Sequence, residues 1–171
     1  MTSEIVGHMG RVIMTRLEPN EDLMTAIKSI VQRSGMKAGV VLSITGAITR
    51  AVLQKFASAE DKIEIVELEG PMEVSGHGVV GWVSSPGTGK KPFGNGRYVD
   101  GEPYVHVHLT VTSPKQTLCG HLMEGCTVRS KHPTSHFTIM VAEIEGGGLN
   151  MIGEVENGKL QGLYHELSKV A

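Results

Sequence analysis

Apolar and polar residues alternate along several stretches of this chain, as expected for β-strands that bury one face. The clearest stretch is 104–112, in which valine and leucine alternate with tyrosine, histidine and threonine. Within 39–57, Gly46 and Ala47 are expected either to divide a strand in two or to bend it. Similar stretches, rich in β-branched residues, predict the full set of strands at 10–17, 39–57, 62–84, 104–112, 117–122 and 136–145.

One region follows the helical period instead. Within 18–35, an apolar stripe is formed by residues three or four positions apart, namely Leu23, Ile27, Ile30 and Val31. Asn20 is the expected N-cap, Glu21 and Asp22 suit the positive end of the helix, and Gly35 is its expected end. One helix against many strands predicts an α+β fold, with a largely antiparallel, twisted β-sheet packed with one main α-helix.

Residues 85–103 are rich in glycine and proline and are predicted to form a long loop. Loops of this length in a compact domain are usually functional or mobile. Because the loop directly precedes the strand at 104–112, we expect it to cover a site there or to reach a neighbouring subunit. The chain after Gly146 shows no clear pattern.

A chain of 171 residues suits one domain with a full core. Its formal net charge is −2 and it has no basic block, which argues against a protein that holds nucleic acid by charge alone. No apolar run is long enough for a membrane span, and the N-terminal residues lack the apolar core of a signal peptide. Two cysteines provide no disulfide framework, so a reducing, cytoplasmic location is expected.

Two histidines, His106 and His108, should project from the same face of their strand, with Cβ atoms about 7 Å apart. If this strand forms a hairpin with 117–122, His121 comes near both, subject to the register. Three neutral imidazoles with an open fourth position form a known kind of zinc site. From the spacing alone, a metal site and a chance set of polar residues on a half-wet strand face are both open interpretations.

Acidic residues, cysteines and the remaining histidines are weaker candidates for a functional site. Glu124, three residues after His121, is the first candidate for a general acid or base or for orienting a bound water, with Glu102 behind it. Cys119 and Cys126 could bind zinc, but buried, inert thiols are the favoured interpretation. The remaining histidines are expected at the surface, namely His8, His77, His132, His136 and His165.

Two glycine-rich stretches resemble phosphate-binding motifs but lack their context. Residues 76–81 fit the G-x-G-x-x-G pattern, yet no helix is predicted to follow, and a phosphate site of this kind needs a helix N-terminus. The GTGKK stretch at 87–91 lacks the glycine spacing and the Ser or Thr of a phosphate loop. A nucleotide site is therefore not predicted.

Five segments occur together in the order of a known family, namely RLEPNEDLMTAI, AGVVLSITGAITRAVL, LEGPMEV, DGEPYVHVHLTV and GHLMEGCTV. They resemble the plant-and-prokaryote-conserved (PPC) domain over about residues 10–145. The resemblance implies an α+β subunit that assembles as a homotrimer and has a DNA-binding or regulatory role. It leaves 1–9 as an N-terminal extension and 146–171 as a C-terminal extension, which we expect to pack on the same domain.

In plants, this domain follows an AT-hook that grips the minor groove of DNA, and this chain has no Arg-Gly-Arg-Pro hook. The chain is more similar to the stand-alone bacterial and archaeal forms, whose three-histidine pattern falls on His106, His108 and His121. The resemblance therefore implies a metal ion at these residues. Zinc is the first expectation, although three imidazoles also suit nickel and iron.

Two functions of different classes follow. The first is a DNA-associated or regulatory trimer with a structural metal, whose basic patch would be Lys90, Lys91 and Arg97, with Lys115 nearby. The second is a metal-dependent enzyme, a hydrolase or lyase, or a small-molecule binder that uses the open position of a three-histidine zinc. A cupin is disfavoured because Thr112 stands where the acidic ligand of a cupin is expected.

Overall fold

The computed structural model describes residues 3–58, 62–85, 91–93, 97–129, 136–156 and 159–170. Its elements in chain order are β1 (His8–Arg16), α1 (Leu23–Ser34), β2 (Gly39–Phe56), β3 (Ile63–Ser84), β4 (Pro103–Thr112), β5 (Thr117–Leu122), β6 (Thr127–Val128), β7 (Thr138–Glu145), β8 (Gly147–Glu156) and β9 (Lys159–Lys169). Within the described ranges, one helix accompanies a mostly antiparallel sheet. The predicted largely antiparallel sheet with one main helix is confirmed.

The strand pairings of the sheet return to their starting point. One edge of β2 pairs with β3 along its whole length, and the other edge pairs in turn with β7, β6 and β5. Since β3 also pairs with β4, and β4 with β5, the sheet closes where Leu53 meets Leu122 and Gln54 meets His121. Gly120 permits this closure, because a Cβ at that position would lie 2.9 Å from the carbonyl oxygen of Gln54.

The helix packs its predicted apolar stripe into the main core. Leu23, Ile27 and Val31 are fully buried and share one cluster with Val107 and Leu109 of β4. This packing covers the apolar face of β4 and leaves the face that carries the histidines free of the helix. Burial of these side chains is the main favourable contribution to the fold on this side of the sheet.

The start of the helix differs from the prediction, and its end does not. Asp22, not Asn20, is the N-cap, and its side chain accepts a hydrogen bond from the backbone N–H of Thr25 at 2.9 Å. Asn20 instead occupies a left-handed turn position with φ of 69°. Gly35 ends the helix with the same φ of 69°, as predicted, because glycine adopts this conformation without a steric penalty.

Two further sequence predictions are settled by the sheet. β2 is one strand from Gly39 to Phe56, with register shifts on both sides of Gly46, so of the two alternatives for this segment the single strand is the one observed. The G-x-G-x-x-G stretch at 76–81 lies inside β3, and no helix follows it among the described residues. The motif therefore lies within a strand and does not lead into a helix N-terminus there.

Residues after Gly146 form a hairpin that the sequence did not indicate. β8 and β9 pair with each other, and β8 joins the sheet in parallel through Trp82–Ser84 of β3. Leu149 and Met151 of β8 pack with Tyr104 in a second core cluster. The proposed division of the chain at residue 145 stays a prediction. In the described part of the chain, the one helix has twelve residues, too few to cross a membrane.

Candidate metal centre and its cavity

The three predicted histidines lie together on the face of the sheet opposite the helix. His108 and His121 are direct partners in the β4–β5 hairpin, and His106 precedes His108 by two residues on the same face. One ring nitrogen from each residue lies within 4.8 Å of the other two. The predicted grouping of the three side chains is confirmed, while their role as metal ligands remains a proposal.

The separation of the His106 and His108 ring nitrogens matches that of two ligands of a tetrahedral metal ion. The Nε2 atoms of His106 and His108 are 3.3 Å apart, longer than most strong hydrogen bonds. Two nitrogens that each bind a tetrahedral zinc at about 2.0–2.1 Å are separated by about 3.3–3.4 Å. The rings of His106 and His108 are nearly parallel, and the ring of His121 is perpendicular to both. The third ring nitrogen is that of His121, which comes from the neighbouring strand β5.

Burial keeps two of these imidazoles in the form that binds metals. It lowers the pKa of His121 to about 4, with smaller contributions from the charges of His106, His108 and Arg97. Burial also lowers the pKa of His106, and the neighbouring His108 adds to the effect. Both rings are therefore neutral at neutral pH, so no proton has to be displaced when a metal ion binds their Nε2 or Nδ1 atoms.

A second layer of hydrogen bonds fixes the orientation of His106. The buried Tyr104 hydroxyl oxygen lies 2.9 Å from His106 Nδ1 and 2.9 Å from His165 Nε2. If Nε2 of His106 binds a metal ion, its Nδ1–H donates to Tyr104, and the Tyr104 O–H donates to His165. His165 of β9 is exposed, as predicted, yet its link to the site was missed because β9 comes from a distant part of the chain.

An amide oxygen beside the histidines has no hydrogen-bond partner in the described part of the chain. Gln54 is the partner of His121 across the β2–β5 closure, so the two side chains lie on the same face. The Oε1 atom of Gln54 is buried and has no hydrogen-bond partner among the described residues. Buried polar atoms are normally satisfied, so this oxygen fits a donor such as a water or a ligand held next to the three histidines.

The histidines open into a cavity of about 850 Å³. Its walls include Tyr98, Tyr104, Phe56 and Leu163, and its positively charged lining residues are Lys55 and Arg97. Among the described residues that line it, there is no aspartate or glutamate. Cavities of this size that combine apolar walls with a few polar groups are typical of small-molecule sites.

The predicted acidic candidates lie outside the larger cavity. Glu124 lines an adjoining cavity of about 300 Å³, where its carboxylate pairs with Lys28 of the helix at 3.2 Å. The two cavities share the lining residues Arg97, Tyr98, Tyr104 and His121. Glu102 is exposed in the turn before β4, and its backbone carbonyl accepts a hydrogen bond from Val83. Neither residue is among those that line the larger cavity, and a role for Glu124 in acid–base chemistry stays a prediction.

The basic residues predicted as a patch have different environments where the structure describes them. Lys90 lies outside the described residues, Lys91 is exposed, and Lys115 is exposed in the β4–β5 turn. Arg97 lies half-buried in the wall of the histidine cavity. The predicted loop at 85–103 therefore delivers Arg97 and Tyr98 to the cavity, although much of the loop lies outside the described ranges.

The two cysteines have different environments. Cys126 is fully buried in the main core, and its Sγ atom donates to the carbonyl of Val52 at 3.3 Å. Cys119 is exposed and lines the histidine cavity, so the prediction of a buried thiol is wrong for this residue. Its position follows from the alternation of β5, which turns residue 119 towards the same side of the sheet as His121.

Comparisons with known proteins agree with the fold and the motifs. The sequence profile of the Plants and Prokaryotes Conserved (PCC) domain matches residues 5–132. The bifunctional protein GlmU of Synechococcus sp. is 26% identical over 124 residues, which cover 69% of this chain. The chain spans only about 15% of the length of that relative.

Solved structures with the same fold come from archaea and bacteria. A metal-containing protein from Archaeoglobus fulgidus has a TM-score of 0.69 at 19% identity, covering 93% of this chain and 97% of that one. A plant- and prokaryote-conserved (PPC) protein from Pyrococcus horikoshii has a TM-score of 0.65 at 20% identity, covering 98% and 99%. A supposed DNA-binding protein from Ralstonia eutropha JMP134 has a TM-score of 0.61 at 15% identity, covering 92% and 90%.

Proposed function

We propose that this chain, which belongs to the Plants and Prokaryotes Conserved (PCC) domain family, binds a divalent zinc ion through His106, His108 and His121. The observation that carries the proposal is the 3.3 Å separation between the Nε2 atoms of His106 and His108, with the His121 nitrogen within 4.8 Å of both. The metal-containing relative from Archaeoglobus fulgidus, which shares the fold, supports it.

We further propose that this metal site serves a small molecule, as an enzyme or as a binding protein. Structural zinc sites normally have four protein ligands, whereas exchangeable sites keep one position open. The candidate ligands here are three histidines. The cavity of about 850 Å³ lies next to them, and so does Gln54, whose Oε1 atom has no hydrogen-bond partner among the described residues. When bound, zinc can polarise a carbonyl or activate water. Tyr104 and His165 would hold His106 in the required tautomer.

The test is the metal content of the untagged full chain, purified without added metal and again after zinc is offered. We expect close to one zinc per subunit for the wild type and none for the folded triple variant His106→Ala/His108→Ala/His121→Ala. His77→Ala is the matched control, because His77 is the exposed β3 partner of His108 and lies outside the metal group. A wild type that takes up no zinc would contradict the proposal.

The homotrimer implied by the family is also a proposal. Apolar side chains are exposed along the two cavities, with Phe56 at 69% and Ile63 at 49% exposure at the larger one and Ile65 at 47% at the smaller one. Such exposed apolar groups commonly mark contacts between subunits. Light scattering coupled to size exclusion should give three times the 18.3 kDa subunit mass. Phe56→Glu should shift the mass towards that of the subunit if these side chains form the contact.

DNA binding is a second candidate function, supported by the fold shared with the supposed DNA-binding protein of Ralstonia eutropha. The net charge of −2 and the position of Arg97 inside the cavity favour a small ligand over a duplex. Duplex binding that weakens steeply between about 50 and 200 mM salt would support DNA binding. An absence of duplex binding at low salt would eliminate it.

A further inference from the structure

We propose that the cavity beside the three histidines binds a small organic carboxylate, with one oxygen directed to the metal position and the other to the guanidinium of Arg97. The inference rests on the proposed function, because it takes the metal ion as one of the two partners of the ligand. It goes further by assigning the chemical class of the ligand and the residue that selects it.

Charge balance supports an anion. Imidazoles are neutral ligands, so three of them leave the charge of a divalent ion uncompensated. A carboxylate from the protein commonly provides that compensation, yet among the described residues that line the cavity there is no aspartate or glutamate. A half-buried site that holds a divalent cation therefore lacks a counter-charge, and an anionic ligand supplies it.

Arg97 stands out among the basic residues at the two cavities. Lys28 pairs with Glu124 and Lys55 pairs with Glu64, so both ammonium groups already have a carboxylate partner. Arg97 is half-buried and has no carboxylate partner in the described part of the chain. A guanidinium presents its N–H groups in a planar fork that matches the two oxygens of a carboxylate.

The remaining lining favours an organic carboxylate over inorganic phosphate. Tyr98, Phe56 and Leu163 offer apolar surface to the rest of a ligand, and the volume of about 850 Å³ exceeds that of a small inorganic ion. A phosphate has four oxygens to satisfy, whereas a carboxylate has two, one for the metal position and one for the planar fork of Arg97. Two oxygens shared between a metal ion and Arg97 leave fewer acceptors unpaired.

The experiment is calorimetric titration of the zinc-loaded full chain with three carboxylates and their neutral amides, namely acetate and acetamide, lactate and lactamide, and benzoate and benzamide. Inorganic phosphate is titrated in parallel, and the zinc content of every sample is measured first. We expect at least one carboxylate to bind about tenfold or more tightly than its amide, as a charge-assisted hydrogen bond predicts. Removal of zinc should weaken that binding by at least a similar factor.

Arg97→Gln tests the selecting residue, and Lys55→Gln is its matched control in the same cavity. Arg97→Gln should retain zinc and lose about 10- to 100-fold in affinity for the carboxylate, whereas Lys55→Gln should change it by less than about threefold, since Lys55 is already paired with Glu64.

Three results would overturn the inference while leaving the metal site intact. These are zinc-loaded protein that prefers no carboxylate over its amide, an unchanged affinity in Arg97→Gln, and phosphate that binds more tightly than every carboxylate. A wild type without zinc would instead overturn the proposed function itself, so the two failures are distinguishable.

Discussion

On one face of β4, Val107 and Leu109 are completely buried against the helix, whereas on the other face His108 is exposed to the cavity. The two faces belong to one strand and one hydrogen-bond register. A slip of one residue would place the histidines in the core and the apolar residues in the cavity. The burial of the apolar face therefore also determines where the histidine nitrogens lie.

The two faces differ in how their side chains are stabilised. Val107 and Leu109 gain from removal of apolar surface from water, and this contribution depends on volume and packing. Tyr104 and His106 are stabilised by directional contacts, such as the 2.9 Å hydrogen bond between the Tyr104 hydroxyl and His106 Nδ1. We therefore expect substitutions on the first face to change the fold, and substitutions on the second to change binding.

The largest effect should follow from Leu109→Ala on the buried face. Loss of a fully buried leucine leaves a cavity, and we expect the free energy of unfolding to fall by about 2–5 kcal/mol. Urea denaturation of the metal-free protein measures this loss. Thr110→Ala, on the exposed neighbouring position, should change stability by less than about 0.5 kcal/mol. Equal losses in the two variants would contradict the distinction between the faces.

The next largest effect should be the stabilisation of the protein by zinc. At a free zinc concentration of about 100 times Kd, binding to the native state alone adds about 2.7 kcal/mol to the free energy of unfolding. Melting curves with zinc and with a chelator should therefore differ for the wild type and for His77→Ala. The triple histidine variant should melt at the same temperature in both conditions. A zinc-dependent shift in that variant would place the metal elsewhere.

The contrast between local and distant contacts explains which features were predictable. The alternation along β4, the helix stripe and the position of His121 across a short hairpin turn all depend on residues near one another in sequence. These were predicted correctly. The start of the helix was predicted incorrectly, because Asn20 and Asp22 are both good N-cap residues and the local turn decides between them.

Two of the missed parts of the site depend on pairings between distant strands. Gln54 reaches His121 only because β5 returns to β2, and His165 reaches Tyr104 only because β9 follows β8 across the sheet. Arg97 belongs to a loop, and the glycine- and proline-rich composition of that loop does not show where the Arg97 side chain lies. No periodicity within a short window encodes such contacts, which depend on tertiary packing.

A smaller effect is expected when one hydrogen bond behind the metal position is removed. Tyr104→Phe keeps the buried ring and deletes the hydroxyl that contacts His106 Nδ1. Partners of this kind typically contribute 10- to 100-fold to metal affinity, so we expect zinc to bind about tenfold more weakly, with the fold retained. Competition with a chromophoric chelator measures the change. Tyr98→Phe, a tyrosine of the same cavity, should leave zinc affinity unaltered.

The smallest expected effect is a difference in reactivity between two thiols. Cys119 is exposed in the histidine cavity, and Cys126 is buried in the main core. Burial raises the pKa of the Cys126 thiol to about 11, so the native state holds this proton more tightly than the unfolded chain. The resulting contribution to stability is present below the ordinary thiol pKa of about 8.5 and is lost as the pH rises towards 11. At pH 8, a maleimide should therefore label the exposed Cys119 of the native protein and spare Cys126.

Urea should make both thiols reactive, and Leu109→Ala should speed labelling of Cys126 through more frequent opening of the core. His108→Ala should leave the labelling rate of Cys126 unchanged, because His108 does not belong to the core cluster that contains this thiol. Mass spectrometry of the labelled protein would distinguish the two sites. Rapid labelling of Cys126 in the native wild type would show that the core shared by Val107, Leu109 and Cys126 is less closed than their burial indicates.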